Sequence, residues 1–157
     1  MKRSREYKSG MHTIISEKAK IGKDCWIGNF VHIRPYVTIG ERSEIRDHVF
    51  IGPHVTIGKN TRVYQFANIG GWATIGDNVF FGGGSITTSD KEICYPDKEG
   101  FKPDPVIVKD NVKIGFGVIL LPGVVLAEGC RIGAGAVVTK STEKGKTYVG
   151  NPAKCIS

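Results

Sequence analysis

His48 and His54 lie six residues apart in a segment that also carries regularly spaced aromatic residues. Histidine exchanges a proton readily near neutral pH, which makes it the natural general base for a hydroxyl nucleophile. When the chain is read in steps of eighteen residues, Tyr36, His54 and Trp72 form one series. Such a series can do chemistry only in a fold that brings residues eighteen positions apart into contact.

A six-residue repeat supplies that fold. Large apolar residues occupy every sixth position from Ile15 to Phe81, and the same spacing returns from Val108 to Val138. The residue four places after each large one is small or β-branched, and Cys25 and Cys130 fall on such positions. Neither a helix nor a simple alternating strand has this period. Three repeats close a triangular coil, and coils stack about 4.8 Å apart. The sequence therefore predicts an all-β, parallel β-helix.

The coil period places the polar candidates in ladders. His54 is expected at one corner of the prism between Tyr36 and Trp72, and His48 at the preceding corner. Asn68 falls on an outward strand position between those corners. We predict His54 and His48 as candidate bases, with His54 preferred because its ring neighbours could hold a sugar or a base; simple corner packing is the alternative. Successive corners are too far apart to share one zinc ion with ligand bonds of about 2.1 Å, so no metal is expected.

The repeat is interrupted by the segment SDKEICYPDKEGFKPDP. Loops of this length without structure of their own are commonly functional. We predict one extruded loop at about 86–106 within a β-helix domain over 14–142. Residues 1–13 are predicted to be a flexible basic extension, and residues 143–157 a tail that packs beside the helix.

Composition limits the class of partner. The chain has 157 residues and a formal charge of +7, which favours anionic ligands. No nucleic-acid-binding motif accompanies the basic residues, so no nucleic-acid partner is expected. The longest apolar run, 118–127, is far shorter than the roughly 20 residues of a membrane span. The four cysteines form no CxxC pair, and a reducing cytoplasm is the expected compartment.

The later repeats contain small residues where a slender ligand could approach the backbone. Gly117, Gly135 and Ala136 leave such space. Lys140 and Lys146 follow them and could bind phosphate groups as point charges. Turn formation alone is the alternative for the glycines. That these five residues bind a phosphorylated co-substrate is what the family resemblance described next implies.

The pattern large aliphatic–Gly–x–x–small–x resembles the hexapeptide-repeat acyltransferases, from about residue 14 to residue 156. This resemblance implies a left-handed helix. Residues 27–70, and VYQFANIG especially, look like UDP-N-acetylglucosamine acyltransferase of lipid A synthesis. The later segments FFGGGSITTSD, VKIGFGVILLPGVVLAEGCRIGAGAVVTKS and GNPAK resemble sugar and nucleotide-sugar acetyltransferases.

The second resemblance implies an enzyme that transfers acetyl from acetyl-CoA to a hydroxyl or amine of a sugar or nucleotide-sugar. It also implies a homotrimer whose sites lie between adjacent subunits, with Asn151 and Pro152 beside the adenine of CoA. Acceptor contacts are expected from the following residues: Tyr36, Asn68, Trp72, Ser89 and Asp90. Ser89 stands where the amino-sugar N-acetyltransferases have asparagine, and both oxygen and nitrogen acceptors therefore stay open.

Three other functions are alternatives to this one. An acyl-carrier-protein-dependent acyltransferase of the lipid A type would need a helical C-terminal domain and a histidine motif that is missing here. A γ-class carbonic anhydrase-like zinc protein would differ in its zinc content. A non-catalytic scaffold would need neither the long loop nor the GNPAK ending.

Overall fold

The computed structural model describes residues 7–91 and 102–157, and this part of the chain contains short strands and no helix. In chain order the strands are β1 (Lys8–Ser9), β2 (Ile14–Ile15), β3 (Lys20–Ile21), β4 (Trp26–Ile27), β5 (His32–Ile33), β6 (Thr38–Ile39), β7 (Glu44–Ile45), β8 (Phe50–Ile51), β9 (Thr56–Ile57), β10 (Arg62–Val63), β11 (Asn68–Ile69), β12 (Thr74–Ile75), β13 (Phe80–Phe81), β14 (Ile86–Thr87), β15 (Ile107–Val108), β16 (Lys113–Ile114), β17 (Ile119–Leu120), β18 (Val125–Leu126), β19 (Arg131–Ile132), β20 (Val137–Val138), β21 (Thr147–Val149) and β22 (Lys154–Cys155).

Successive strands belong to three different sheets, which form the faces of a triangular prism. Sheet A has the order β1-β4-β7-β10-β13-β16-β19-β21-β22, sheet B the order β2-β5-β8-β11-β14-β17-β20, and sheet C the order β18-β15-β12-β9-β6-β3. Neighbouring strands are parallel and eighteen residues apart in the regular coils, as in the pairing of Trp26 with Glu44. The chain is a left-handed parallel β-helix, and the predicted fold class is confirmed.

The core is one continuous apolar column inside the prism. The inward large positions are buried from Ile27 to Val138, and Phe81 is the largest fully buried side chain. Ile15 and Ile21 are only partly buried, because fewer coils cover them at the N-terminal end. The small slots from Cys25 to Ala136 are buried as predicted, whereas Ala19 in the first coil is only partly buried.

Three corners connect the sheets, and residues with positive φ form each of them. Corner 1, from sheet A to sheet B, consists of His12, Phe30, His48, Phe66, Gly84, Gly117 and Gly135. Corner 2, from sheet B to sheet C, includes Tyr36, His54, Trp72 and Gly123. Corner 3, from sheet C to sheet A, consists of Asp24, Arg42, Asn60, Asn78, Asn111 and Gly129. Side-chain hydrogen bonds of 2.9–3.4 Å join Arg42 to Asn111 through the two intervening asparagines.

The insertion starts later than the sequence pattern predicted. Strand β14 keeps the register through Thr87, which pairs with Ile69 and is buried. Thr87 takes the inward position six residues after Phe81, where its Oγ1 accepts a hydrogen bond from the Gly70 N–H at 2.8 Å. The predicted start at 86 was wrong because a threonine in this slot breaks the apolar pattern while it satisfies the geometry. Much of the predicted loop, residues 92–101, lies outside the described residues.

Both ends of the described chain add to sheet A. Strand β1 pairs with β4, so Lys8 and Ser9 belong to the first coil although residues 1–13 were predicted as an extension. Strand β21 pairs in parallel with β19, and β22 then returns antiparallel to β21. The predicted tail therefore extends the sheet across the end of the prism.

The two core thiols predict a pH dependence of stability. Burial raises the pKa of Cys25 and Cys130 above the ordinary value of 9.0. Because the folded state disfavours the thiolates, the free energy of unfolding should fall as the pH rises above about 9. Urea unfolding at pH 8 and pH 10 should show a larger loss in the wild type than in the Cys25→Ala/Cys130→Ala variant. Equal losses would contradict the prediction.

Candidate functional site

Sheet B and the two corners that bound it hold most of the predicted site residues. Strand β11 carries Asn68 on its outward face, with Phe50 and Ile86 on the neighbouring strands. Corner 1 lies before this sheet in each coil, and corner 2 lies after it. His48 and His54 therefore flank the same face from opposite corners, as the repeat predicted.

Corner 2 holds His54 between two aromatic rings. The imidazole centroid lies 4.8 Å from the Tyr36 ring and 5.4 Å from the Trp72 ring, with planes within 16° of parallel. Below them, the Lys18 Nζ donates a hydrogen bond of 3.1 Å to the Tyr36 hydroxyl. His54 is exposed despite this stacking, so its ring edge is open to solvent. An imidazole covered on both faces by other rings can reach solvent only through its ring edge.

The root of the insertion lies one coil above Trp72. Because Ile69 pairs with Thr87, Ser89 and Asp90 follow β14 at the corner-2 end of sheet B. Ser89 is buried, and its Oγ donates a 3.4 Å hydrogen bond to the exposed Asp90 carboxylate. The Asp104 N–H donates to the Ser89 carbonyl at 2.8 Å, and the Asp104 carboxylate pairs with Lys91 at 2.6 Å. This arrangement places acidic and hydroxyl groups at the end of the Tyr36–His54–Trp72 stack.

Corner 1 carries a longer column of rings that includes His48. His12, Phe30, His48 and Phe66 stack with centroids 4.9–5.2 Å apart and planes within 13°. His48 is thus packed between two phenylalanines, as expected if its role is to pack at the corner and not to act as a base. The residue is nevertheless exposed to solvent. His48 and His54 thus share the same arrangement, a stacked imidazole in an exposed residue.

Beyond Phe66, corner 1 changes from rings to glycine. A Cβ built on Gly84, Gly117 or Gly135 would meet no atom within 4 Å. Ala136, the next residue after Gly135, is buried as a core side chain. The glycine stretch of corner 1 is therefore open. Ala136, by contrast, occupies a small inward slot, so its side chain belongs to the core and not to the open corner.

The C-terminal tail brings Asn151 and Pro152 to the same corner. The Val137 N–H donates to the Gly150 carbonyl at 3.0 Å, and the Ala153 N–H donates to the Val137 carbonyl at 2.8 Å. Asn151 and Pro152 form the exposed turn between these two bonds, and their peptide bond is cis. Since Val137 begins the strand that leaves corner 1, this turn lies beside Gly135.

The two predicted phosphate ligands lie elsewhere on the same subunit. Lys140 follows β20 toward corner 2, and Lys146 precedes β21 after the turn at Gly145. The Gly145 N–H donates to the Glu128 carbonyl at 3.0 Å, which places this turn at corner 3. One subunit therefore does not bring Lys140 and Lys146 to the glycines of corner 1.

Corner 1 also has a surface hollow that the sequence did not predict. Gln65, Phe66, Gly83, Gly84 and Phe116 line a surface hollow of about 500 Å³. Phe116 is 51% exposed and Phe66 is 66% exposed. The sequence held one signal, because Phe116 directly precedes Gly117, a glycine of corner 1.

The six-residue repeats of this chain match a known protein family. The family model of bacterial transferase hexapeptide repeats matches residues 18–53, 54–89 and 105–140. The chain belongs to the bacterial transferase hexapeptide family. The gap between the second and third matches coincides with the insertion between β14 and β15.

Two solved structures share this fold, and this chain covers 56% of the length of each of them. A histidine-to-asparagine variant of perosamine N-acetyltransferase from Caulobacter crescentus, solved with CoA and GDP-perosamine, has a TM-score of 0.63 at 16% identity, covering 96% of this chain and 56% of that one. WeeI from Acinetobacter baumannii has a TM-score of 0.61 at 23% identity, covering 98% and 56%. At these identities the likeness shows a common fold.

Curated relatives match over shorter segments. A candidate acetyltransferase of Schizosaccharomyces pombe is 58% identical over 52 residues, covering 33% of this chain and 25% of the relative. A 2,3,4,5-tetrahydropyridine-2,6-dicarboxylate N-acetyltransferase of Staphylococcus aureus is 42% identical over 52 residues, covering 33% and 22%. The match thus spans about a quarter of the length of these relatives.

A membrane span and a metal centre are two further classes of site to consider in residues 7–91 and 102–157. Within these ranges no helix is long and apolar enough to cross a membrane. The same residues contain no group of three or more histidine, cysteine or acidic side chains arranged to hold a metal ion.

Proposed function

We propose that this hexapeptide-repeat protein transfers acetyl from acetyl-CoA to a hydroxyl or amine of a sugar or nucleotide-sugar. One observation carries the proposal. A histidine stacked between Tyr36 and Trp72 lies at one edge of sheet B, and the opposite edge of the same sheet becomes an open glycine corner from Gly84 onwards, two coils above it. The first group can accept a proton, and the second can admit a slender thioester arm.

The comparisons support the reaction class. The curated relatives carry acetyltransferase names, and the perosamine N-acetyltransferase that shares the fold was solved with CoA and GDP-perosamine. The open corner at Gly84, Gly117 and Gly135 fits such a co-substrate, because nothing obstructs the backbone there. Asn151 and Pro152 then stand at the adenine end of the proposed path.

We propose the following roles for the chain's own residues. The thioester supplies an activated acetyl group whose carbonyl is attacked by the acceptor. For a hydroxyl acceptor, His54 takes the proton from the attacking oxygen, since a hydroxyl is a weak nucleophile without a base. Ser89 and Asp90 hold the acceptor at the top of the ring stack, and Asn68 contacts it from sheet B. An amine acceptor needs mainly this positioning once it is deprotonated.

A homotrimer would complete the site. Corner 1 holds the glycines and the Asn151–Pro152 turn, whereas Lys140 and Lys146 lie toward corners 2 and 3. A neighbouring subunit packed against sheet B would bring its lysines to the phosphates at the first subunit's corner 1. The cytoplasm is the compartment we propose, because the spacing of the cysteines in the sequence is not that of a disulfide framework.

Acetyl-CoA binding tests the donor directly. A ligand selective for the folded state raises the melting temperature, so saturating acetyl-CoA should stabilise the protein. The Lys140→Ala/Lys146→Ala variant should bind acetyl-CoA more weakly and bind acetyl-pantetheine as before, because acetyl-pantetheine lacks the adenosine phosphates. Melting curves with each donor give the comparison, and release of CoA with a panel of sugars and nucleotide-sugars identifies the acceptor.

A matched control is Lys23→Ala/Lys59→Ala, since both lysines are exposed and lie near corner 3 in the early coils. Equal weakening of both donors by the first variant would reject the phosphate role. No shift of the melting temperature with acetyl-CoA would reject the donor itself.

A further inference from the structure

The ring column of corner 1 ends abruptly at Phe66. Four rings stack in register from His12 to Phe66 at nearly constant spacing. The backbone of the corner continues unchanged beyond them. The Gly84 N–H donates to the Gln65 carbonyl at 2.9 Å, and the Gly117 N–H donates to the Gly83 carbonyl at 2.9 Å. The column therefore has a place for a fifth ring, which the chain does not fill.

The glycines at this place are not a requirement of the backbone. Phe30, His48 and Phe66 adopt φ values of 54°, 59° and 62° in the same corner, and Gly84 has a φ of 67°. A side chain at Gly84 would also meet no atom. What glycine provides here is space, directly above an aromatic face that is 66% exposed.

The shape of that space suits a flat ring. Phe66 forms the floor of the hollow, Phe116 forms a wall, and Gln65 lies at its edge with an amide that can donate and accept hydrogen bonds. Phe116 also packs edge-on to Tyr64 at 5.7 Å, which holds the wall in place. A planar heterocycle with polar edges would contact all three side chains.

The charge beside the hollow favours a phosphorylated ligand. Each strand of sheet A is followed by corner 1. On the outward face of this sheet, Lys113 pairs with Phe80 and Arg131 pairs with Lys113, and both cations are exposed. These two cations lie in the coils of Gly117 and Gly135. A base on Phe66 would thus have cationic side chains on the adjoining face for its phosphates.

We propose that a nucleobase stacks on the open face of Phe66, in the space above Gly84, as the next ring of the corner-1 column. The proposal deepens the proposed function and rests on it for the source of the base, which is either a nucleotide-sugar acceptor or the adenosine end of CoA. The second source would move the adenine from the Asn151–Pro152 turn, where the proposed function places it, to Phe66. Aromatic stacking of this kind is sequence-tolerant and contributes substantially to binding of bases.

Calorimetric titration tests the site with UDP, dTDP, GDP and 3′,5′-ADP as probes. Phe66→Leu should weaken the nucleotide that binds by roughly five- to a hundredfold, the range that base stacking predicts. Phe66→Tyr keeps a ring and should retain the affinity. Gly84→Phe should compete with the ligand by placing the protein's own ring in the space.

The matched control is Gly129→Phe, which adds the same ring at corner 3 at a φ of 68° where a Cβ also meets no atom. It should leave nucleotide affinity unchanged. Loss confined to UDP, dTDP or GDP assigns the base to the acceptor, and loss confined to 3′,5′-ADP assigns it to CoA; either result supports the site.

Three results would overturn the proposal. The first is equal affinity of Phe66→Leu and Phe66→Tyr for every nucleotide that binds. The second is an absence of nucleotide binding while acetyl-CoA still raises the melting temperature, which leaves the proposed function intact. The third is a change in sedimentation of Gly84→Phe without a change in nucleotide affinity, which would place a second copy of this chain in the hollow.

Discussion

His54→Ala is expected to lower kcat by about a hundred- to ten-thousandfold with a hydroxyl acceptor, the usual contribution of a positioned base. The reason is that the attacking oxygen then loses the group that takes its proton. Acetyl-CoA binding should not change, because His54 lies at corner 2 and the proposed donor path follows corner 1. Steady-state kinetics with the true acceptor, combined with melting curves in acetyl-CoA, measure both quantities.

His48→Ala is the companion variant, since the ring columns leave both histidines with open edges. His12→Ala provides the control, because His12 also stacks at a corner with positive φ but lies in the first coil, away from the insertion. If His54→Ala and His48→Ala both keep nearly full activity, base catalysis by histidine is wrong. The acceptor would then be an amine oriented by Asn68, Ser89 and Asp90.

Phe81→Ala should destabilise the protein by about 3–5 kcal/mol, the range for truncating a buried phenylalanine. Phe81 has no exposed surface and is the largest fully buried side chain of the column. Coils above and below it are held by their own backbone pairing, so the cavity cannot collapse readily. Urea unfolding gives the free energy directly.

Phe30→Ala is the matched comparison for that measurement. Phe30 is 51% exposed and stacks only on neighbouring corner rings. Its removal should cost clearly less than the removal of Phe81. Similar losses at the two positions would mean that the inward column does not dominate stability.

The fold was predictable because one period determines which side chains face inward. Ile51 and Leu126 lie far apart in sequence and still occupy equivalent buried positions. The period failed at Thr87, where the hydrogen bond to Gly70 stabilises a polar side chain in an apolar slot. A pattern based on hydrophobicity alone does not predict that a threonine can take an inward position. The position is stable because the buried hydroxyl accepts a hydrogen bond from a backbone N–H.

The sequence predicted which site residues share a corner of the helix. It did not predict where the residues of the C-terminal tail lie or where the surface is hollow. The eighteen-residue ladder correctly brought Tyr36, His54 and Trp72 together. It did not show that Lys140 and Lys146 lie away from the glycine corner, because the tail after β20 leaves the repeat and follows its own path. The hollow beside Phe116 exists because corner 1 has glycines in place of further rings. The spacing of residues in the sequence does not show how much empty volume such a replacement leaves.

The position of the insertion has a consequence for how such proteins diversify. Strands on either side of it pair as in any other coil, Thr74 with Ile107 and Asn68 with Ile86, so the register does not depend on the length of the intervening segment. Doubling the length of a flexible loop costs only about 0.6 kcal/mol in closure entropy. A lineage can therefore lengthen, shorten or replace this segment by small insertions and deletions without losing a foldable protein. Because the segment begins beside Ser89 and Asp90, each such change would alter the side of the molecule that we propose for the acceptor, while the glycine corner would stay the same.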